Sequence, residues 1–309
     1  MDRYLLPGQS AELYVLDVNT GDRRLVYRSS DVLFEAPNWS SDGQWLVINA
    51  DGLLFRLPVS GGTELEQIDL GGVPPINNDH VLSPDAATVY VSAEDGHIYA
   101  VPMTGGRPRR VTNDHGPDFA HYLHGISPDG TSLAYIGLQR RGDRQPITNV
   151  YLIPVTGGAD QQLTDDGFPD DGSEFGPDGR WIYFNSERAA SAPGHAQLFR
   201  MTSDGSTTEQ LTSDERVNWF PHPSPDGTRI AYISFPPGTL GHPPNVDVIV
   251  RMLDHDGIRD LTHLFGGQGT MNVPSWDPTG NSIAYVAYPF GQRLEHPDKM
   301  TIRLSEIDL

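Results

Sequence analysis

Six short segments of this sequence carry imidazole, carboxylate or amide side chains just ahead of an apolar run. In chain order, the residues that can do chemistry are Glu35, Asn38, Asn78, Asp79, His80, His121, His124, Asp170, Asp171, Glu174, His222, Gln268 and Asn272. Neutral imidazoles together with carboxylates or amides bind divalent ions, and the same groups transfer protons as general acids and bases. We expect these residues to contact a ligand if the fold brings the six segments together.

Three of the histidines are candidate ligands for one divalent metal ion, which would be manganese, zinc, iron or calcium. His80, His124 and His222 lie in three different segments, and the same three histidines with Asp171 are the predicted catalytic residues. The rest of the coordination shell would come from Asp79, Asp171, Glu174 or Gln268. Two other interpretations stay open. Each histidine either hydrogen-bonds a neighbouring strand or acts on a substrate without a metal.

A tight turn follows each of these segments and recurs along the whole chain. One copy reads Ser224-Pro225-Asp226-Gly227, and related copies begin at Ser40, Ser83, Ser127, Gly176 and Asp277. The six copies are spaced by roughly 43 to 53 residues, which is the length of a propeller blade. We expect the turn aspartates to cap their own backbone rather than to do chemistry. They are Asp42, Asp85, Asp129, Asp178 and Asp226.

Every repeat contains four short strand patterns and no helical period. The sequence therefore predicts an all-β fold, a six-bladed β-propeller of four-stranded antiparallel blades. The N-terminal hairpin at 11–28 is expected to complete the blade formed by 271–288, with strands at 271–276 and 282–288, and so to close the ring. Residues 1–309 would form a single domain. A C-terminal extension at 289–309 would carry an additional strand at 301–307.

The first strand of each propeller blade lines a central channel, so the six polar segments are expected to converge at one channel mouth. A purely structural ring would repeat the same small or apolar residues at these places. Here each segment carries different polar side chains, with imidazoles in three blades and carboxylates in three. These differences between the six segments are the strongest sign of function in the sequence.

The turn sequences resemble the TolB-type, WD-like propeller repeat, in which a Ser-Pro-Asp-Gly turn joins the two inner strands of each blade. The resemblance covers essentially the whole chain and implies the fold. Members of the family include translocation accessories, propeller domains of prolyl peptidases, and sugar-acid lyases. The resemblance to oligogalacturonate-lyase-type propellers implies a divalent metal held by histidines and a glutamine in the funnel, although the ligand spacing of those enzymes is not reproduced here.

Composition excludes several classes of partner and location. The net charge of −20 repels phosphate, so we expect no nucleic-acid binding. The chain has no cysteine, which excludes disulfides and cysteine-ligated zinc. No apolar run approaches the length of a membrane span, and we expect no membrane insertion. The N-terminus shows no secretory signal, which predicts a cytoplasmic protein, or a periplasmic one if a leader is missing from the sequence.

Other stretches are weaker candidates. The glycine-rich stretch 265–272 would let a ligand approach the backbone, but it lacks the last glycine of a dinucleotide fingerprint, and no nucleotide cofactor is expected. His242 lies in a proline-rich loop that would act as a lid or a rigid wall. Three arginines would bind a carboxylate or remain solvated: Arg140, Arg141 and Arg188.

Two functions from different classes fit these observations. The first is binding of a small polar ligand, a sugar or a uronate, in the funnel, with metal-assisted lyase activity as its enzymatic form. The alternative is a non-enzymatic protein–protein interaction scaffold that resembles the translocation accessories. The sequence does not decide whether the protein is an enzyme, because a fold alone does not assign a function.

Overall fold

The computed structural model describes residues 3–291, and these residues form strands, turns and loops without a helix. The N-terminal hairpin consists of β1 (Ala11–Asp17) and β2 (Arg23–Ser29). The first blade contains β3 (Phe34–Trp39), β4 (Trp45–Ala50), β5 (Leu53–Pro58) and β6 (Glu66–Ile68). The second contains β7 (Ile76–Leu82), β8 (Thr88–Ala93), β9 (Ile98–Pro102) and β10 (Arg109–Arg110).

The remaining blades continue the same pattern. The third blade contains β11 (Phe119–Ile126), β12 (Ser132–Arg141), β13 (Arg144–Pro154) and β14 (Gln161–Gln162). The fourth contains β15 (Asp170–Phe175), β16 (Trp181–Ser186), β17 (Gln197–Thr202) and β18 (Thr208–Gln210). The fifth contains β19 (Val217–Pro223), β20 (Ile230–Phe235), β21 (Pro244–Asp254) and β22 (Gly257–Gly267). The last strand is β23 (Ser282–Ala287).

The strands form the predicted six-bladed propeller. Five blades are four-stranded antiparallel sheets in chain order, and the first strands of neighbouring blades contact one another around the channel. The ring closes as predicted, because β1 pairs with β23 and β2 pairs with β1, with Leu13 opposite Val286. Closure leaves no free edge between the first and last blades.

The sixth blade differs from the prediction at its innermost position. The predicted strand at 271–276 is not a regular strand, and a single bridge joins Trp276 to Ile283. Pro274 has no N–H to donate to a neighbouring strand. The Ser275 hydroxyl donates to the Val273 carbonyl at 2.6 Å, a local hydrogen bond that competes with pairing in a sheet. The segment still follows β23, since the Ala284 N–H donates to the Ser275 carbonyl at 2.9 Å.

The repeated turns use their aspartates as expected. In the third blade, Ser127 Oγ donates to Asp129 Oδ1 at 2.6 Å, and the Thr131 N–H donates to the same oxygen at 3.0 Å. In the fifth blade, the Ser224 hydroxyl and the Thr228 N–H lower the pKa of Asp226 to about 2. These carboxylates are fully used by their turns, which agrees with a structural role.

Apolar side chains fill the spaces between consecutive blades. Between the second and third blades, for example, Tyr90 and Val81 pack against Leu123 and Tyr135. Within residues 3–291, no helix is long and apolar enough to cross a membrane. The predicted strand at 301–307 and most of the predicted extension lie outside the described residues.

Candidate functional site

A β-bulge interrupts the ladder partway along the first strand of the first, fourth and fifth blades. The pairing register shifts between Glu35 and Asn38, between Asp171 and Glu174, and between Trp219 and His222. At each bulge one residue has a positive φ: Ala36 (52°), Gly172 (66°) and Phe220 (54°). A β-bulge re-aims the side chains around it, so the residues on either side of each bend are placed in and around the channel.

The central contact of the channel is an ion pair between the third and fourth blades. His124 Nε2 donates to Asp171 Oδ1 at 2.9 Å, and the side chains are 4% and 22% exposed. Burial by itself would lower the pKa of His124, but Asp79 and Asp171 outweigh it and raise that pKa to about 9. The imidazole is therefore protonated at neutral pH, next to a carboxylate that solvent can reach.

Asp79 of the second blade is the third member of this cluster. Burial raises its pKa to about 6, the neighbouring His124 opposes that rise, and Asp171 adds to it. Asn77 Nδ2 donates to Asp79 Oδ2 at 2.8 Å. A carboxyl group that titrates near neutral pH beside an imidazolium is suited to proton transfer. We call Asp79, His124 and Asp171 the channel cluster.

The fifth blade adds His242 to the open side of the channel cluster. Its ring packs on Trp219 and Phe220, with ring centroids 4.5 and 5.2 Å away. Its Nε2 lies 3.7 Å from Asp171 Oδ2, and its Nδ1 donates to Gln268 Oε1. Burial lowers the pKa of His242 despite the nearby carboxylate of Asp171. The loop that carries this histidine thus forms a wall of the candidate site.

Gln268 is held in place by the glycine-rich stretch. Asn272 Nδ2 donates to Gln268 Oε1 at 3.1 Å, and the Gly269 N–H donates to Asn272 Oδ1 at 2.8 Å. The positive φ of Gly269, 85°, is accessible to glycine without strain. The stretch therefore positions a glutamine and an asparagine beside His242 and Asp171.

A second buried histidine–carboxylate pair connects the fourth, fifth and sixth blades. His222 Nδ1 lies 2.6 Å from Glu174 Oε2, and its Nε2 donates to the Met271 carbonyl at 3.1 Å. Burial raises the pKa of Glu174, and His222 opposes that rise. Both ring nitrogens are used by neighbouring blades, which is the behaviour of a structural link.

Three other predicted site residues, Asn38, Glu35 and Asp170, also make contacts within the protein. Asn38 donates to the Pro274 carbonyl at 2.7 Å and accepts from the Leu82 N–H at 3.2 Å. Glu35 forms an ion pair with Arg3. Arg188 donates to both oxygens of Asp170, at 2.9 and 3.1 Å. Asn78 is buried. The first three connect segments of the fold rather than facing the channel cluster.

His80 and His121 lie in surroundings of their own. His80 is fully buried with its Nε2 3.3 Å from the Val47 carbonyl, and burial lowers its pKa to about 4. His121 Nδ1 donates to the Gly96 carbonyl at 2.6 Å, and its ring lies against His97 of the second blade. Neither imidazole joins the ion pair of His124.

The three histidines predicted as metal ligands do not fit one shared ion as they are arranged. Among residues 3–291, the groups of three or more side chains with ligand atoms within 4.8 Å of one another do not include His80, His124 or His222. The rings of His124 and His222 already use both nitrogens, the former on Asp171 and the Asn272 carbonyl. We derive no chemical step through a metal at these residues.

Sequence reasoning did not place some residues beside the channel cluster. The sequence indicates His242 only as part of a lid or wall, because its position depends on how the 236–243 loop folds back over Trp219. Tyr122, whose pKa is raised by burial and by Asp79 and Asp171, is a half-buried neighbour of the cluster. Its position one residue after His121 in the first strand of the third blade was the available signal.

The ring of blades and the cluster at its axis define the class: a six-bladed β-propeller with ionisable groups collected in the central channel. The chain belongs to the TolB β-propeller family, because the TolB beta propeller domain model matches residues 124–285. An uncharacterized protein of Agrobacterium fabrum, Atu1656, is 41% identical over 290 residues, which cover 91% of this chain and 94% of that protein.

Solved structures and more distant relatives agree with this family. A structure of an Agrobacterium tumefaciens protein named after TolB aligns with a TM-score of 0.83 and 40% identity, over 91% of this chain and 99% of that one. The Tol-Pal system protein TolB of Francisella tularensis is 24% identical over 89% of this chain, which spans 61% of that relative. Oligogalacturonate lyase in complex with manganese aligns with a TM-score of 0.57 at 16% identity, over 83% of this chain and 74% of that one, and so shares the fold.

Proposed function

We propose that the channel mouth binds a small hydroxyl-rich ligand of the carbohydrate class and presents it to the channel cluster. The observation that carries this proposal is the buried His124–Asp171 ion pair beside Asp79, assembled from three blades, with Asp171 partly open to solvent. Burying such charges costs free energy unless they are well paired. Groups with strongly perturbed pKa values that converge on one opening are typical of binding or catalytic sites.

The charges of the cluster favour a neutral sugar over a uronate. At neutral pH the cluster holds two carboxylates and one imidazolium, and the whole chain has a net charge of −20. An anionic ligand would be repelled unless a cation compensated it. Of the three arginines predicted to bind a carboxylate, Arg188 is already paired with Asp170, and Arg140 and Arg141 are exposed to solvent. Hydroxyl groups can instead donate to Asp171 and accept from the Gln268 amide, beside the partly exposed ring of His242.

Proton transfer is the chemistry that these residues support if the site is catalytic. The lyase form of the proposal would require a uronate, which the negative charge of the cluster opposes. In it, Asp79 would take the proton from the carbon α to the carboxylate, a carbon–carbon double bond would form as the bond to the leaving oxygen breaks, and His124 would protonate that oxygen. The resemblance to oligogalacturonate lyase is one of fold, so this form rests on the cluster alone. A cytoplasmic location remains a prediction of the sequence.

A ligand panel tests the proposal. We expect galactose or short neutral oligosaccharides to raise the melting temperature of the wild type and to give binding heats in calorimetry. Galacturonate and digalacturonate are tested in parallel as anionic ligands and should bind more weakly. Asp171→Asn and His242→Ala should abolish the response, and Asp143→Asn, an exposed turn residue, should keep it. Absence of any response in the wild type, or full binding by both channel variants, would refute the proposal.

Exposed apolar side chains favour protein binding as the second candidate. Tyr4 and Leu6 in the N-terminal segment are 71% and 36% exposed. Phe290 is 47% exposed, and an antiparallel bridge to Gln9 holds it next to that segment. Such a patch fits a protein partner. A protein partner that binds through this patch should be lost with Tyr4→Ser and Phe290→Ser but retained with Asp171→Asn. This pattern would distinguish protein binding from carbohydrate binding at the channel.

A further inference from the structure

Three side chains that bind metals in other proteins meet between the second and third blades. His121 lies near the start of β11, His115 lies in the segment that connects the two blades, and Asp160 directly precedes β14. One ring nitrogen of each histidine and one carboxylate oxygen of Asp160 lie within 4.8 Å of one another. Two imidazoles and one carboxylate are a ligand set found in zinc sites that keep a fourth position open.

His121 is held in the form that a metal ligand requires. A carbonyl oxygen only accepts hydrogen bonds, so the 2.6 Å contact with Gly96 O places the ring proton on Nδ1. In the neutral ring Nε2 then carries a lone pair. The residue is 2% exposed, and Nε2 is buried without a hydrogen-bond partner among the described residues. Metal-binding histidines commonly donate their other N–H to a carbonyl in this way.

Asp160 is held in one orientation by three side chains. The Tyr135 hydroxyl donates to Oδ1 at 2.7 Å, and Asn113 Nδ2 donates to Oδ2 at 2.6 Å. His115 Nε2 lies 2.9 Å from the same Oδ2. An oriented carboxylate of this kind can bind an ion with little reorganisation.

Aromatic rings enclose one side of this group and leave the other side accessible. Phe119 packs against His115 and His121, with ring centroids 4.7 and 4.9 Å away, and Tyr135 lies 5.1 Å from His121. The His115 side chain is 36% exposed, which gives an ion a route from solvent. A buried lone pair without a partner needs an ion or a donor to complete it.

We propose that His115, His121 and Asp160 bind one divalent ion of the zinc class, with a fourth position available to water or an external ligand. This inter-blade site is separate from the channel cluster and does not depend on the proposed carbohydrate binding. The ion would replace the His115–Asp160 hydrogen bond by two coordination bonds and would engage the free Nε2 of His121. The acidic turn Asp254-His255-Asp256 also groups ligand atoms, but it is mostly exposed and serves as the control.

The test uses the full chain without a histidine tag, stripped with a chelator and titrated with zinc alone. We expect about one equivalent of zinc to remain after desalting in the wild type and in His255→Ala. His115→Ala and Asp160→Asn should each weaken zinc binding by at least about tenfold, since loss of a ligand costs more than loss of its outer-shell partner. His115 lies in a connecting loop and is partly exposed, so its variant should fold.

A second measurement separates zinc coordination from a bridging water. Cobalt in place of zinc should give the strong visible absorption of a tetrahedral site in the wild type, and this absorption should be lost in His115→Ala. Wild type that retains no zinc, or unchanged zinc affinity in both His115→Ala and Asp160→Asn, would overturn the proposal. Zinc lost only in His255→Ala would assign binding to the exposed turn and would overturn it equally.

Discussion

Two histidines of one strand, β11, have opposite environments. His124 points into the channel, where it donates to Asp171 and lies beside Asp79, and the two carboxylates keep it protonated. His121 packs towards the second blade, where its Nδ1 meets the Gly96 carbonyl, and burial lowers its pKa to about 4. The same residue type is therefore a cation in one place and a neutral imidazole in the other.

The difference shows what decides the role of an imidazole in this fold. In the channel cluster, carboxylates from neighbouring blades surround the ring and supply the counter-charge. In the inter-blade site, the backbone fixes the proton of His121 on one nitrogen and leaves the other without a partner. The first arrangement favours proton transfer, and the second favours coordination of an ion.

The largest expected effect is on stability when the channel ion pair is broken. Asp171→Asn removes a partner of the buried imidazolium and should destabilise the protein by about 3 kcal/mol. Urea unfolding measures this change, with Asp143→Asn as the exposed control that should stay within about 0.5 kcal/mol of wild type. A cost as small as that of the control would show that His124 is not charged in the folded protein.

Zinc should act on the other region and leave the channel unchanged. Zinc at about a hundred times its dissociation constant should stabilise the wild type by about 2.7 kcal/mol. The same increment should be measured in Asp171→Asn, and at the same zinc concentration it should fall to about 1.4 kcal/mol or less in His115→Ala, whose zinc affinity is at least about tenfold weaker. Loss of the increment in both variants would mean that the two regions are coupled and that the comparison is wrong.

The pH dependence of stability should report the charge of His124. Its pKa is raised from 6.5 to about 9 in the folded state, so its stabilising contribution is complete below pH 6.5 and is lost as the pH rises through about 9. We expect the free energy of unfolding to fall by up to about 3 kcal/mol over this window, because each pKa unit corresponds to about 1.4 kcal/mol. In His124→Gln the fall should largely disappear. A wild-type profile that rises over the same window would contradict the assigned sign.

Sequence reasoning was strong for the fold and partial for the sites. The six turns predict the propeller because each one fixes a local hairpin, and the closing hairpin follows from the missing outer strands of the last blade. The strand at 271–276 was wrong because Pro274 and the local bond of Ser275 prevent a regular ladder, which depends on a side-chain contact that the repeat pattern does not show.

The sites depend on the direction in which each side chain points. The residues Asp79, His124 and Asp171 are recognisable because all three lie in the first strands of their blades. His115 and Asp160 lie in loops, and they meet His121 only because the second and third blades pack against each other. His121 and His124 are three residues apart, an odd spacing that places their side chains on opposite faces of a strand. The spacing does not reveal which groups each face meets in the folded protein.

The smallest expected effect concerns His97, which lies beside the inter-blade site. Its ring centroid is 5.6 Å from that of His121, but its Nδ1 contacts Thr112 Oγ1 at 3.1 Å and its remaining nitrogen lies 3.5 Å from Arg110 Nη1. Because a guanidinium next to Nε2 opposes a second cation there, His97→Ala should change zinc affinity by less than about threefold, well below the tenfold expected for an outer-shell partner. Titration of both proteins with zinc under the same conditions measures this ratio. A loss as large as that of His115→Ala would make His97 the fourth ligand and convert the open site into a closed structural one, because a fully protein-ligated tetrahedral ion leaves no position for water.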